Sequence, residues 1–263
     1  MKIIYKIRNF FLRLLNRFII DKLLAAVYPF YFQKRDKNYN FNIFKKIGLT
    51  NNVLQFSHNE KKINNPKLSF HYDILFALGQ KFRNKNINIL EIGTYEGEFT
   101  NFLSNVFPDG NIFTLDLPLD DEKFKEDYGR ADEKKLNEHL KLRNKNLSCD
   151  NIFFEEIDSL NLLSKFKEKK FDIIWIDGDH HAPQVQFDIF QAIKLSSLGT
   201  IILVDDIIKN NYSNKYTSGE SFQTIEYLGR KNCLKTEYFL KRIFYSNLVL
   251  KKYISYSVVN KLI

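Results

Sequence analysis

The chain has 263 residues, 44% of them hydrophobic, which is enough to build a full core in one large domain or in one domain with appendages. Its net charge of +9 sits at the two ends: residues 1–50 carry eleven Lys/Arg against Asp21 and Asp36, residues 231–263 carry seven against Glu237, and the span between is acidic. That distribution excludes a uniformly basic nucleic-acid binder, and the distant Cys149 and Cys233 form neither a metal motif nor a disulfide framework, which points to a reducing, cytoplasmic setting.

Residues 1–32 mix apolar and basic residues at helical spacing. Lys2, Lys6, Asn9, Arg13, Arg17 and Asp21 fall on one side, and Ile4, Ile7, Phe11, Leu14, Leu15 and Phe18 on or near the other. No charge-free run approaches the ~20 residues of a membrane span, and Arg13 and Arg17 break up any signal-peptide core. Two readings stand. One is a helix lying peripherally on the anionic inner face of the membrane. The other is a helix packed on its own domain or on a second copy in a homo-oligomer. Residues 33–66, rich in Lys and Asn, read as a connector with short structured pieces ending at Pro66. The expected division is therefore an N-terminal amphipathic extension and connector over 1–66 and a domain over 67–263.

Ser69 is placed to cap a helix running to Phe82, with Ile74, Leu75, Leu78 and Phe82 facing inward. The stretch Ile87-Asn-Ile-Leu-Glu-Ile-Gly-Thr-Tyr-Glu-Gly97 then reads as a buried strand running into a tight turn, with a helix over Phe99–Phe107 behind it. Glu91, Gly93 and Gly97 stand where the first strand of a nucleotide-type α/β fold meets its ligand, and Gly93 is expected to let that ligand approach the backbone. A G-x-G-x-x-G site would need glycine at 95 and 98, which are Tyr95 and Glu98, so a dinucleotide pyrophosphate is not expected.

Asn111–Asp116 is a second strand, ending in an acid where such folds place the carboxylate that accepts from ribose hydroxyls. Residues 117–150 are a long, charged insert with a helix around Ala131–Leu142, either a lid or a surface helix. A third strand, Asn151–Ile157, ends in Asp158-Ser159, a polar position that can face an adenine amino group. The fourth, Phe171–Asp177, leads into Gly178-Asp-His-His181 and a helix over Pro183–Leu198. The fifth is Thr200–Asp205, followed by Asp206. A helix over Ser218–Leu228 is closed by Gly229, and two runs, 234–240 and 243–250, are expected to pair as an antiparallel hairpin. The pattern predicts an α/β doubly wound, Rossmann-like sheet of seven strands, mostly parallel.

In such a sheet, ligands bind outside the carboxyl ends of the strands. Asp177, Asp205 and Asp206 end two of them. If those strands are neighbours, three carboxylates converge, and a hard divalent cation such as Mg²⁺ is their natural partner. His180, three positions beyond Asp177, overlooks the same spot and suits proton abstraction near neutrality. His181 is expected to point elsewhere, and His58, His71 and His139 have no such company.

Leu90-Glu-Ile-Gly-Thr-Tyr-Glu-Gly97, with Asp116 ending the second strand, resembles motif I of class I S-adenosylmethionine (SAM) methyltransferases, in the branch similar to catechol O-methyltransferase. The resemblance covers roughly residues 70–250. In that branch, metal ligands follow the fourth and fifth strands, at the places of Asp177, Asp205 and Asp206. A base lies three residues past the first ligand, a Lys in catechol enzymes and a His in sugar-directed relatives, as His180 is here. The resemblance implies SAM across Glu91, Gly93, Tyr95 and Gly97, its ribose on Asp116 and its adenine near Asp158. It also implies Mg²⁺ on the three aspartates and a hydroxyl acceptor on a small molecule or glycan. The 117–150 insert and Ser197-Leu-Gly199, in place of Pro-Gly-Gly, depart from the branch. Two rival readings are a hydroxylase-like metal enzyme of the same fold and a non-catalytic SAM-binding protein at a membrane surface.

Overall fold

The computed structural model describes residues 38–50, 69–126, 130–209, 219–244 and 250–263. In chain order the elements are α1 (His71–Lys81), β1 (Asn88–Ile92), α2 (Glu98–Val106), β2 (Asn111–Asp116), α3 (Glu122–Glu126), α4 (Glu133–Asn146), β3 (Ile152–Glu156), α5 (Leu162–Lys165), β4 (Phe171–Ile176), α6 (Gln184–Lys194), β5 (Ser196–Ile208), α7 (Glu220–Arg230), β6 (Leu234–Phe244) and β7 (Leu250–Val259). The strands form one seven-stranded sheet in the order β3-β2-β1-β4-β5-β7-β6. The first five are parallel; β7 runs antiparallel to β5, and β6 antiparallel to β7.

The central strands are apolar runs because helices cover both of their faces. Side chains alternate between two cores. Leu90, Ile174, Ile176, Ile202 and Val204 pack with Val185, Ile189 and Ile193 of α6 and Ile225 and Leu228 of α7. Ile89, Ile173, Trp175, Ile201 and Leu203 pack on the other face with Ile74, Leu75 and Leu78 of α1 and Leu103 of α2. The order reverses between β1 and β4, and the crevice at their carboxyl ends is the ligand position of a doubly wound sheet.

Four sequence expectations need adjustment. Ser69 does not cap α1: Phe70 stands at the cap with no side-chain hydrogen bond. Helix α6 stops at Lys194, not Leu198, because Ser196 Oγ donates to the Ala192 carbonyl and Ser196 already pairs with Phe171. The hairpin pairs 234–244 with 250–259, not 234–240 with 243–250. The run 250–259 is polar in sequence, yet as an interior strand it buries Lys252, Ser255 and Ser257 completely or nearly so. The insert forms α4 from Glu133, capped by Asp132, whose side chain accepts from the Lys135 amide.

Residues 38–50, on the extension side of the expected boundary at 66/67, are built into the domain. They are helical over 38–46, and Ile43, Phe44 and Leu49 join the second core. Asn40 closes a two-point pair on β6, its Nδ2 donating to the Leu240 carbonyl at 2.9 Å and its Oδ1 accepting from the Leu240 amide at 2.8 Å. That amide pair occupies hydrogen-bonding groups an edge strand would otherwise expose. The amphipathic stretch 1–32 lies outside the described residues. Among the described residues no helix is long and apolar enough to cross a membrane.

Candidate active site

The turn after β1 is built by backbone constraint. Gly93 has φ 103°, and a Cβ there would lie 2.5 Å from the Asp177 carbonyl oxygen. Glycine is thus required by the neighbouring strand end, where the sequence suggested close approach by a ligand. The Gly93 and Thr94 amides both donate to the Leu115 carbonyl, at 3.0 and 3.2 Å. Gly97, at φ 72°, starts α2, and a Cβ there would meet Leu147 at 3.0 Å. Tyr95, at φ 50°, remains 42% exposed.

Glu91 lies beneath this turn. Its Oε2 accepts from Thr100 Oγ1 and Thr114 Oγ1, each at 2.6 Å, tying β1 to α2 and β2. Burial pushes its carboxyl up to about 8, against the two threonine bonds and with Asp177 and Asp116 adding to the rise. Asp116 faces the crevice at the end of β2. Its Oδ2 accepts from the Tyr95 amide at 2.7 Å and its Oδ1 from the Leu117 amide at 2.8 Å. Burial raises its pKa despite these bonds and the nearby Arg130 and Arg143. Asp158 caps the short 3-10 turn Ser159–Asn161 through a 2.8 Å bond from the Leu160 amide to its Oδ1.

At the ends of β4 and β5, Asp177, Asp205 and Asp206 lie near enough to influence one another or His180 electrostatically. Asp177 Oδ1 lies 3.5 Å from His180 Nε2. Burial and the nearby Asp205 push the Asp177 carboxyl up to about 6, although its side chain keeps 35% of its surface. For His180 burial opposes the charge, but Asp177, Asp206 and Asp205 outweigh it and raise the pKa. His181 turns away to Asp179, as expected from the chain direction.

Two lysines that the sequence reading missed complete this corner. Lys241 binds Asp205 Oδ2 and lies 2.8 Å from Asp206 Oδ1, while Lys252 binds Asp206 Oδ2. Burial opposes ionisation of Asp206, yet the two ammonium groups hold its pKa well below the usual carboxylate range. Among the described residues no cluster of three His, Cys, Asp or Glu is arranged to hold a metal. Asp177, Asp205 and Asp206 as they stand therefore do not fit the expected Mg²⁺ set: three of the four oxygens of the Asp205-Asp206 pair already accept from ammonium groups.

The insert also contributes to the crevice. Asn146 Nδ2 donates to the Glu96 carbonyl at 2.8 Å, and the Asn146 carbonyl accepts from Asn101 at 3.0 Å. His139, expected to lie away from the strand-end acids, packs its ring edge-on to Tyr95 at 5.3 Å and is held down to about 4 by burial, Arg130 and Arg143. Tyr72 of α1 is a further unpredicted group; burial, Glu98, Glu91 and Asp177 push its phenol up to about 12. A separate cavity of about 590 Å³, bounded by Gly79, Arg83, Asn84 and Pro108, lies at the opposite ends of β1 and β2, away from the carboxyl-end crevice.

The comparisons agree with this geometry. Residues 90–207 match a family described as "Methyltransferase domain". The fold is shared with solved structures of low sequence identity. One is described as a candidate O-methyltransferase from Klebsiella pneumoniae (21% identity, 88% of this chain and 100% of that one, TM-score 0.53). Another is the O-methyltransferase TomG from Streptomyces achromogenes, involved in tomaymycin synthesis and in complex with SAM (15% identity, 80% and 89%, TM-score 0.52). A third is an O-methyltransferase from Bacillus cereus in complex with SAH (22% identity, 80% and 90%, TM-score 0.51). No curated protein matches the chain in sequence. The sheet order and the matched span give residues 90–207 the likeness of a methyltransferase domain, on the fold of those solved structures.

Proposed function

We propose that the domain moves the SAM methyl group to a hydroxyl oxygen of a small-molecule or glycan acceptor, with His180 receiving the proton. One observation carries the reading. Gly93 and Asp177 are in backbone contact, so the cofactor turn and the Asp177–His180 corner share one crevice. The solved structures with this fold that are named O-methyltransferases support an oxygen acceptor.

In this account Gly93, Tyr95 and Gly97 would hold SAM, Asp116 would accept from its ribose and Asp158 would face its adenine, while Glu91 braces the turn through Thr100 and Thr114. Asp177 orients the His180 imidazole. The imidazole takes the hydroxyl proton as the oxygen attacks the methyl carbon in line. The new O–C bond forms, the C–S bond breaks, and SAH leaves as a neutral thioether. Holding both reactants in one crevice supplies much of the acceleration, and proton acceptance adds roughly 10²–10⁴-fold. No step runs through Mg²⁺, because Lys241 and Lys252 engage the carboxylates proposed to hold it. A cytoplasmic setting, with residues 1–32 on a membrane face or a second copy, is proposed from sequence alone.

The test is incubation with methyl-labelled SAM and a panel of phenol, sugar and polyketide hydroxyls, for wild type and His180→Ala. Label on oxygen, lost in His180→Ala with SAM binding kept, supports the reading. Label on nitrogen or carbon overturns the oxygen assignment.

A further inference from the structure

We propose that Lys241 and Lys252 take the place of a divalent cation at the carboxyl ends of β4 and β5, so that this methyltransferase domain binds no Mg²⁺ there. The backbone is shaped to deliver them. The β5–β7 register shifts between Val204 and Ile207, which places Asp205 and Asp206 in the irregularity, with Asp206 at φ 49°. The β6–β7 register shifts between Leu240 and Arg242, so Lys241 is the extra residue of its strand. A bulge re-aims a side chain, and here irregularities in two strands aim a lysine and two aspartates at each other.

The charges are equivalent to those of a metal. Two ammonium groups bring the same +2 that Mg²⁺ would bring to Asp177, Asp205 and Asp206. The space is not equivalent. Mg²⁺ requires about six oxygens at about 2.0–2.1 Å in octahedral array. Asp206 spends both oxygens on lysines and Asp205 spends Oδ2. Of that pair only Asp205 Oδ1, buried without a hydrogen-bond partner, remains. A cation entering here would have to expel Lys241, whose side chain is only 4% exposed, or leave an ammonium beside a doubly charged ion in a poorly screened interior.

The proposal takes the site's place in the fold from the methyltransferase reading, but its test measures metal binding and needs no acceptor. Mn²⁺ serves as probe, titrated by electron paramagnetic resonance into the full chain with and without SAM. Wild type is expected to show no saturable binding up to roughly millimolar Mn²⁺. Lys241→Gln/Lys252→Gln, confirmed folded by circular dichroism, is expected to gain a saturable site with at least a 10-fold rise in affinity, lost again when Asp205→Asn is added. Saturable Mn²⁺ binding by wild type that Asp205→Asn weakens would overturn the proposal, independently of whether the double variant folds. A folded double variant that stays silent would also overturn it, since removing the lysines would then open no cation site. SAM binding is read in the same samples, so failure of the methyltransferase reading shows separately.

Discussion

The backbone of Gly93 sits against the carbonyl of Asp177, so that a Cβ on residue 93 would lie 2.5 Å from that oxygen. The relationship locks the turn after β1 to the end of β4. Gly93→Ala is therefore expected to be a stability variant as much as a binding variant. The left-handed φ costs roughly 1–3 kcal/mol for a residue with a side chain, and overpacking adds about as much. The melting temperature should fall by roughly 5–20 °C. A variant with unchanged melting temperature would show that the turn and β4 are not locked together.

Glu91 yields a pH prediction. Its folded pKa, pushed up to about 8 by burial, lies above its unfolded value. The folded chain thus binds more protons than the unfolded chain between about pH 4.5 and 8, and stability contributed by the protonated form is lost as pH rises through that window. Glu91→Gln keeps an oxygen for Thr100 and Thr114 but cannot ionise. Melting curves of the variant should depend less steeply on pH across pH 5–8 than those of wild type, and parallel curves would contradict the assignment.

His180 predicts the shape of the rate profile. The imidazole must be neutral to accept a proton, and its pKa is raised by Asp177, Asp206 and Asp205 against the effect of burial. The acidic limb of kcat/KM should therefore lie above the ordinary histidine value of about 6.5. Asp177→Asn should move that limb to lower pH, and His180→Ala should lower kcat by about 10²–10⁴-fold. A limb unmoved by Asp177→Asn would remove Asp177 from the role of orienting partner.

Much of this was legible in the sequence. Apolar runs, each ending in an acid, marked β1, β2, β4 and β5, because strands buried on both faces leave no other signature. The contact between Asp177 and His180 followed from their places after β4, and the placement of Asp205 and Asp206 followed from the end of the fifth apolar run. Lys241 and Lys252 were not legible, since no local pattern distinguishes a lysine buried at a strand irregularity from one on a solvated edge. The span 250–259 was missed for the same reason, its buried Ser255 and Ser257 looking like an exposed face. Glu91 was assigned to the cofactor from its motif position, whereas its bonds to Thr100 and Thr114 depend on a tertiary contact that sequence spacing does not reveal.

The insert supplies a fourth prediction. Asn146 ties the end of α4 to the Glu96 carbonyl and to Asn101. Its neighbour Leu147 lies where a Cβ on Gly97 would project. Asn146→Ala removes the side-chain bond at about 1 kcal/mol and should loosen the turn. SAM affinity measured by calorimetry should drop by about 3–10-fold, with a melting-temperature loss of a few degrees. An unaltered affinity would mean that the insert does not support the turn.

The central claim is that the crevice between the Gly93–Gly97 turn and Asp116 binds SAM. Calorimetric titration of SAM and SAH into wild type and Asp116→Asn tests it most directly. In the variant the Tyr95 amide, now 2.7 Å from Asp116 Oδ2, loses a carboxylate acceptor, and the ribose loses a charged partner worth about 1.5–3 kcal/mol. The account predicts one SAM per wild-type chain and affinity weakened by about 10–100-fold in Asp116→Asn. No saturable SAM or SAH binding by the folded wild type, or equal affinity in both proteins, would contradict it.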